Sequence, residues 1–427
     1  MIDIRLLRQD PEAFRAALAR RLDPSLEPAA QELLALDGRW REAVSRSEGL
    51  KARRNAMSEE VARRKKARVS ADDLLSELKV SGEEAKRLDA EVRLVEGELD
   101  ALLLNLPNLL LADVPDGDAS GNRVSRRWGE LPGFDFTPRP HWELWESLNL
   151  FDLARGAKLS GSGFPLFVGR GARLVWALQQ FMVDLHTREH GYREIAPPLL
   201  VTRETMTATG QLPKFEEELY GTVADDLFLI PTAEVPLTNL YRDEILDGRE
   251  LPLGLVAFTP CFRREAGAHG KDTRGLIRVH QFDKVELVRF CRPEDGPAEH
   301  ETLTGHAEAV LQRLGIPYRV VALAAGDTGF ASARTYDLEV WAAGVGGWLE
   351  ASSVSTFTDF QARRGNIRFR RETGAKPEFV HTLNASAVAF PRTIIALLEN
   401  NQQADGSVRV PEALVPYLGT NQLTPRG

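Results

Sequence analysis

No proline interrupts the chain between Pro28 and Pro107. Within that stretch, apolar or small residues recur at alternating steps of four and three: Ala29, Leu33, Leu36, Trp40, Ala43, Ser47, Leu50, Arg54, Met57 and Val61. Ser47 and Arg54 are its weak members. The pattern returns cleanly as Ala85, Leu88, Val92, Val95, Leu99, Leu102 and Leu106. A heptad seam of this kind is a long helix that buries one stripe against a partner. Two such runs of similar length predict an antiparallel hairpin over about 29–106, with its tip within 66–80 and its second helix stopped by Pro107. At 1.5 Å per residue, an arm of ~40 residues per helix reaches ~60 Å.

Charge divides between the two runs. Residues 39–68 carry 11 Lys and Arg against 4 Asp and Glu, and residues 69–113 carry 4 against 11. Charge runs usually solvate helix faces, and here they also pair across the hairpin. Near the tip, Arg53, Arg54, Arg63, Arg64, Lys65, Lys66 and Arg68 form a basic cluster suited to a phosphate backbone. The two readings are compatible, since one face packs while another binds. The whole chain is acidic, with 54 Lys and Arg against 62 Asp and Glu, so nucleic-acid binding requires such a local face.

Hydrophobic residues make up 43% of the 427 residues and charged residues 27%, which excludes wholesale disorder and leaves room for two or three domains. Two cysteines, Cys261 and Cys291, supply neither a disulfide framework nor a four-cysteine zinc site. No apolar run is long enough to span a membrane, and the start Met1-Ile2-Asp3-Ile4-Arg5 lacks the layout of a secretory signal. The expected location is cytoplasmic.

The Pro-, Gly- and Asp-rich stretch after the hairpin reads as a linker. The expected organisation is an N-terminal domain over 1–113, a linker over 114–140 and a catalytic domain over 141–427. Beyond 141, the patterning predicts a long amphipathic helix at 167–190 and a helix at 390–401. It predicts strands at 192–195, 227–230, 255–262, 275–290, 318–321, 336–341 and 348–355. Strands with few βαβ alternations favour an α+β fold on a mainly antiparallel sheet. Neither G-x-x-x-x-G-K-[ST] nor G-x-G-x-x-G occurs.

The densest polar stretch runs Phe262-Arg263-Arg264-Glu265, then Lys271 to Arg274, then His280-Gln281-Phe282-Asp283-Lys284-Val285-Glu286. It predicts a strand, a glycine-bearing loop and a returning strand. A strand-held arginine is a rigid clamp for phosphate or carboxylate, and Phe282 is placed to stack on a base. Taken singly, each arginine fits a charged surface hairpin better than it fits a ligand role. His269 and His280 are read as structural or solvated, not catalytic.

This stretch closely resembles motif 2 of bacterial seryl-tRNA synthetases. Other stretches follow in the order that family requires. Residues 191–198, Gly-Tyr-Arg-Glu-Ile-Ala-Pro-Pro, look like motif 1. Pro231-Thr232-Ala233-Glu234 looks like the serine-binding T-x-E element. Glu350-Ala351-Ser352-Ser353, with Asp359 to Arg364, looks like the metal and ATP strand. Asn384-Ala385-Ser386 through Pro391-Arg392 looks like motif 3. The resemblance covers nearly the whole chain. It implies a class II synthetase catalytic domain, built on a mainly antiparallel sheet flanked by helices, behind a tRNA-binding coiled-coil arm.

The resemblance further implies ATP-dependent activation of L-serine to seryl-adenylate, then transfer to tRNA(Ser), and to tRNA(Sec) where that tRNA exists. It implies Mg²⁺ as the cation and a homodimer whose arm serves the partner's site. It assigns Arg263 and Arg392 to catalysis, and Thr232, Ala233, Glu234, Arg263, Glu286 and Ser386 to serine. ATP falls to Arg263, Arg264, Glu265, Val279, Phe282, Glu350, Ala351, Ser352, Ser353 and Arg392. Glu350 and Ser353 are the expected metal ligands, and Arg53, Arg54, Arg63, Arg64, Lys65 and Lys66 the expected tRNA contacts. Two departures stand out: Arg264 replaces a serine common in motif 2, and Ala385 and Ala387 replace motif 3 glycines. Two alternatives remain at this level: a related enzyme loading a non-tRNA carrier, and a non-enzymatic tether with a degenerate nucleotide-binding domain.

Overall fold

The computed structural model describes residues 1–266 and 274–425. Lys271 and His269 therefore lie outside the described residues. The chain forms two compact units, one of residues 2–19 and 23–106, the other of Met1, Arg20–Leu22 and 107–427.

The first unit is a helical arm. Two short helices, α1 (Ile4–Gln9) and α2 (Pro11–Ala19), precede the long α3 (Leu26–Lys66) and α4 (Asp72–Asn105). Pro28 sits in the first turn of α3, where its missing N–H has no intrahelical partner to lose. The tip is the turn 67–71, with Arg68 left-handed at φ 55°. The seam buries Leu33, Leu36, Ala43, Met57 and Val61 against Ala85, Leu88, Val95 and Leu99. The two weak members are explained by their partners. Ser47 is buried and donates its hydroxyl to Asp89 Oδ1 at 2.8 Å. Arg54 faces Gly82, where an added Cβ would lie 3.7 Å from the guanidinium. Arg39–Glu98, Arg46–Glu91, Lys51–Asp89 and Arg53–Glu77 pair across the hairpin.

The second unit is built on eight strands. These are β1 (Arg123–Trp128), β2 (Arg193–Glu194), β3 (Leu253–Phe262), β4 (Gln281–Cys291), β5 (Tyr318–Ala322), β6 (Arg334–Ala342), β7 (Gly347–Thr358) and β8 (His381–Ala389). Their spatial order is β1-β5-β6-β7-β8-β4-β3-β2. Every pairing is antiparallel except the edge pair β2–β3. Helices α5 (His141–Leu148), α6 (Arg170–Arg188), α7 (Glu234–Asn239), α8 (Gly296–Arg313) and α9 (Phe390–Asn400) flank the sheet.

The central strand β4 shows why both faces are covered. Val285 and Leu287 join one apolar cluster with Leu178, Leu303 and Ile394. Val288 and Phe290 join another with Ala233, Leu237, Ile367 and Phe369. Because successive side chains alternate, Lys284 and Glu286 share the second face with Val288.

Two sequence expectations are corrected. The linker expected at 114–140 contains β1, which closes one edge of the sheet by pairing with β5. Its six residues are almost all exposed, so no apolar alternation marked it. The strand expected at 275–290 begins only at Gln281; residues 274–280 form turns and bends, with Gly275 at φ 66°. A side chain at Gly275 would meet His141 Nε2 at 2.3 Å, so the chain passes too close there for anything larger.

The arm should depend on its seam. Leu88→Ala, at a position 2% exposed, is expected to destabilise it by about 2–4 kcal/mol. Leu94→Ala, at an exposed position, should change it by less than about 0.5 kcal/mol. Denaturant unfolding followed by helical circular dichroism measures both.

Candidate active site

The site grows from the register of three strands. Glu286 on β4 lies opposite Ser386 on β8 and Ala257 on β3, so Lys284, Glu286, Asn384 and Ser386 project from one face. Lys284 and Glu286 form an ion pair, with side chains 5% and 0% exposed. Lys284 Nζ also donates to Thr232 Oγ1 at 2.8 Å. Asn384 Nδ2 donates to Glu286 Oε1 at 2.7 Å and to Glu234 Oε2 at 3.1 Å. Ser386 Oγ donates to Glu286 Oε2 at 3.4 Å. The buried Gln361 donates to Glu234 Oε1 at 2.7 Å and accepts from Thr382 at 2.7 Å, which fixes its amide. Burial, then the neighbouring Glu286 carboxylate, pushes Glu234 up to about 7.

Arg263 follows directly on β3. Its backbone N–H donates to His280 O at 2.9 Å, and its Nε to Pro231 O at 3.3 Å. The guanidinium carbon stands 5.1 Å over the Phe282 ring. Glu265, left-handed at φ 50°, turns the chain so that its carboxylate accepts from Arg278 at 3.0 Å. These groups line a hollow with Val279, Glu350, Ala351, Ser352 and Arg392, enclosing about 540 Å³ open to solvent.

A second hollow, of about 1400 Å³ open to solvent, is lined by Thr232, Glu234, Asn384, Ser353, Asp337 and Phe330 among others. The two share Arg263, Lys284, Glu350 and Ser386. Glu350 and Ser353 would face opposite sides of a regular strand. A bulge between Glu350 and Ser352 brings both to the second hollow. Ser353 donates its hydroxyl to Asp337, whose carboxyl is raised well above its usual range by burial and then by Glu350. Arg392 NH1 donates to Glu350 O at 2.7 Å and lies 3.3 Å from its carboxylate.

Some expected residues stand elsewhere. Arg264 is exposed and lines neither hollow; its backbone N–H goes to Glu218 O at 3.0 Å. Ala233 is fully buried in the apolar cluster behind α7. Glu286 lies beneath the floor and holds the groups that line it. Ala385 and Ala387 have no positive φ, so this backbone needs no glycine there. On the arm, Arg53 is engaged with Glu77, Arg63 with Glu60, and Arg64 with Glu60 and Asp73. Lys65 and Lys66 are exposed and make no ion pair among the described residues.

The assembled site also uses Lys284, Asn384, Gln361 and Asp337. The first three lie inside the motif-like stretches, but only the three-dimensional structure reveals their task. A fully buried His141 adds a further tie. Its Nδ1 meets Glu399 Oε1 at 2.7 Å, and its Nε2 accepts from Leu276 N at 3.4 Å, behind the first hollow. The same Glu399 accepts the Gly344 and Val345 amides at 2.7 and 2.9 Å.

Residues 215–401 match the family model described as tRNA synthetase class II core domain (G, H, P, S and T). The antiparallel sheet and its paired hollows are thus the core of a class II aminoacyl-tRNA synthetase. Residues 1–110 match the Seryl-tRNA synthetase N-terminal domain. The chain is 56% identical over 420 residues to a serine--tRNA ligase of Gemmatimonas aurantiaca, covering 98% of this chain and 99% of that one. It is 53% identical to that of Pelotomaculum thermopropionicum, with the same coverage. A crystal structure of seryl-tRNA synthetase from Pyrococcus horikoshii complexed with ATP superposes with a TM-score of 0.94, at 38% identity and over 100% of both chains. The chain belongs to the seryl-tRNA synthetase family.

The raised Glu234 carboxyl makes stability depend on pH. Below about 4.5, its usual value, both folded and unfolded states hold the proton. Between there and about 7 only the folded state does, so stability is lost as pH rises through that window, by up to about 3 kcal/mol. Glu234→Gln should remove this slope relative to wild type. Buried His186 and His300 and the half-buried His306, all lowered chiefly by desolvation, tilt the other way in acid and cancel in the comparison. Urea unfolding at pH 5 and pH 7.5 measures the difference.

Proposed function

We propose that this chain activates L-serine with ATP to seryl-adenylate and transfers the seryl group to tRNA(Ser). The observation that carries the reading is the meeting of two hollows at Arg263, one suited to a nucleotide and one lined by carboxylate, amide and hydroxyl groups. The serine carboxylate oxygen bonds to the α-phosphorus, the bond to the β-phosphate's bridging oxygen breaks, and pyrophosphate leaves. A ribose hydroxyl of the tRNA terminus then attacks the activated carbonyl, and AMP leaves. Such chemistry needs alignment and charge neutralisation, not a protein nucleophile.

Arg263 spans the serine carboxylate and the α-phosphate, and Arg392 holds the distal phosphates. Phe282 and Val279 bracket the adenine, with Glu265 at its edge and the strand 350–353 along the triphosphate. Thr232, Glu234 and Ser386 take the ammonium and hydroxyl of serine, while Glu286 orients the floor. The Arg264 side chain lines neither hollow and is left out of the ATP contacts.

No group of three or more His, Cys, Asp or Glu able to hold a metal by itself occurs among the described residues. A Mg²⁺ carried by phosphates needs only one or two protein oxygens, and the donor set of Glu350 and Ser353 fits that demand. When bound, the ion neutralises phosphate charge.

The proposal extends to a homodimer with tRNA bound across subunits, to tRNA(Sec) as a further substrate, and to the cytoplasm. No helix among the described residues is long and apolar enough to cross a membrane. Loading of a non-tRNA carrier is disfavoured by the basic arm, which such an enzyme does not need.

Serine-dependent ATP–pyrophosphate exchange tests the activation step. Serine should support it, and alanine, threonine and glycine should not; Arg263→Ala should lower it by at least about 10²–10³-fold. Folded protein without serine-dependent exchange overturns the reading. For the arm, Lys65→Ala with Lys66→Ala should leave exchange intact and weaken tRNA binding. The slope of log affinity against log salt should fall by about 2, roughly one per phosphate contact.

A further inference from the structure

Arg20–Leu22 belongs to the catalytic unit although the residues on either side of it belong to the arm. Arg21, at its centre, is 8% exposed and paired with no carboxylate among the described residues. All five of its N–H groups are nevertheless used. Nε and NH2 donate to Asn108 O at 3.0 and 2.6 Å, NH1 to Thr328 O and Gly329 O at 2.8 and 2.9 Å, and NH2 to Ser332 O at 2.5 Å.

Three of these carbonyls, those of Thr328, Gly329 and Ser332, belong to a loop that needs them satisfied. Residues 328–333 lie between β5 and β6, and no strand ladder pairs 328–332. A buried carbonyl without a donor is costly, so another part of the chain must supply one. Asn108 completes the set. Its backbone N–H reaches Phe330 O at 2.9 Å, and its Nδ2 reaches Ala331 O at 3.0 Å. Leu111 N donates to Ala333 O at 3.0 Å. Six successive carbonyls, 328 to 333, are thus held from Arg21 and 108–111.

The loop is also a wall of the second hollow. Gly329, Phe330, Ala331 and Ser332 line it together with Glu234 and Asn384. Phe330 is wedged between Phe215 and Phe360, with ring centroids 6.0 and 5.9 Å away. A shift of a few tenths of an ångström would change how far the wall stands from the floor.

We propose that Arg21 is a positioning residue for the serine side of the active site, its guanidinium fork setting the wall at 328–332. The inference rests on the serine reading of the second hollow. A lysine cannot replace the fork, because three N–H groups on one point do not reach carbonyls spread around a plane. Burial lowers Arg21 to about 9, which leaves it cationic at neutral pH.

The test is pyrophosphate exchange with the full chain carrying Arg21→Lys or Asn108→Ala. Arg21→Lys should raise the KM for serine at least tenfold while the KM for ATP stays within twofold and kcat within threefold. Asn108→Ala should act in the same direction, and it carries the test where Arg21→Lys does not fold. Amide hydrogen exchange at 329–333, read without ligand, should rise at least tenfold in the variants and stay unchanged in β4. An unchanged serine KM in an active, folded variant, or equal rises in both KM values, overturns this inference alone. A wild-type chain with no serine-dependent exchange overturns the functional reading and this one with it.

Discussion

The ion pair of Lys284 and Glu286 at the centre of the sheet constrains everything around it. Two charges taken almost wholly out of water cost several kcal/mol each, and their attraction offsets this only when the remaining donors and acceptors are also satisfied. Thr232, Asn384 and Ser386 meet that need. They come from the segment before α7 and from β8, so the pair is tolerable only when these elements are in place. A one-residue slip of β4 would turn Lys284 and Glu286 toward Leu178 and Ile394, and Val285 and Leu287 away from them. Register is therefore tightly specified. With it are specified the exit of Arg263 from β3 and the position of Phe282 beneath its guanidinium.

The same register explains why two hollows of different character can share one arginine. The first hollow, proposed for the nucleotide, is built from the ends of strands and their turns, where backbone irregularity re-aims side chains. The left-handed Glu265, the bulge after Glu350 and the shift between Ser386 and Ala389 all border it. The floor of the second hollow is built from the interior of β4 and β8, where side chains are locked by cross-strand hydrogen bonds. Positioning of a charged, flexible triphosphate needs several converging cations; discrimination of a small amino acid needs fixed polar groups. A missing hydroxyl then leaves buried partners unpaired, which is the strongest form of rejection available to such a pocket.

Much of this was legible in the sequence, and the remainder was not for identifiable reasons. The arm shows itself because a 3.5-residue period persists through dozens of residues; even its polar members, Ser47 and Arg54, have local explanations in Asp89 and Gly82. The long strands show themselves by apolar content. Strand β1 does not, because an exposed edge strand carries no alternation. Arg263, Glu350 and Arg392 were found through motif resemblance. Asp337 and Arg21 bond partners far away in sequence, and no local pattern distinguishes them from a polar residue on a surface. Arg264 illustrates the converse: it sits inside the most informative motif, yet its side chain lines neither hollow.

The two carboxylates at the second hollow differ by environment. Glu286 already faces Lys284, so its charge is matched within the protein. Among the described residues, the side chains that hydrogen-bond the Glu234 carboxylate are the neutral Gln361 and Asn384, and burial beside Glu286 favours its protonated form. A cation entering the hollow reverses that balance, because an opposite charge within a few ångströms stabilises the carboxylate. An uncharged ligand gives no such compensation. On the proposed serine reading of this hollow, the pocket rewards an ammonium group more than hydrogen bonding alone would, because the cation adds to the weaker pull of Lys284 and Arg263 on Glu234.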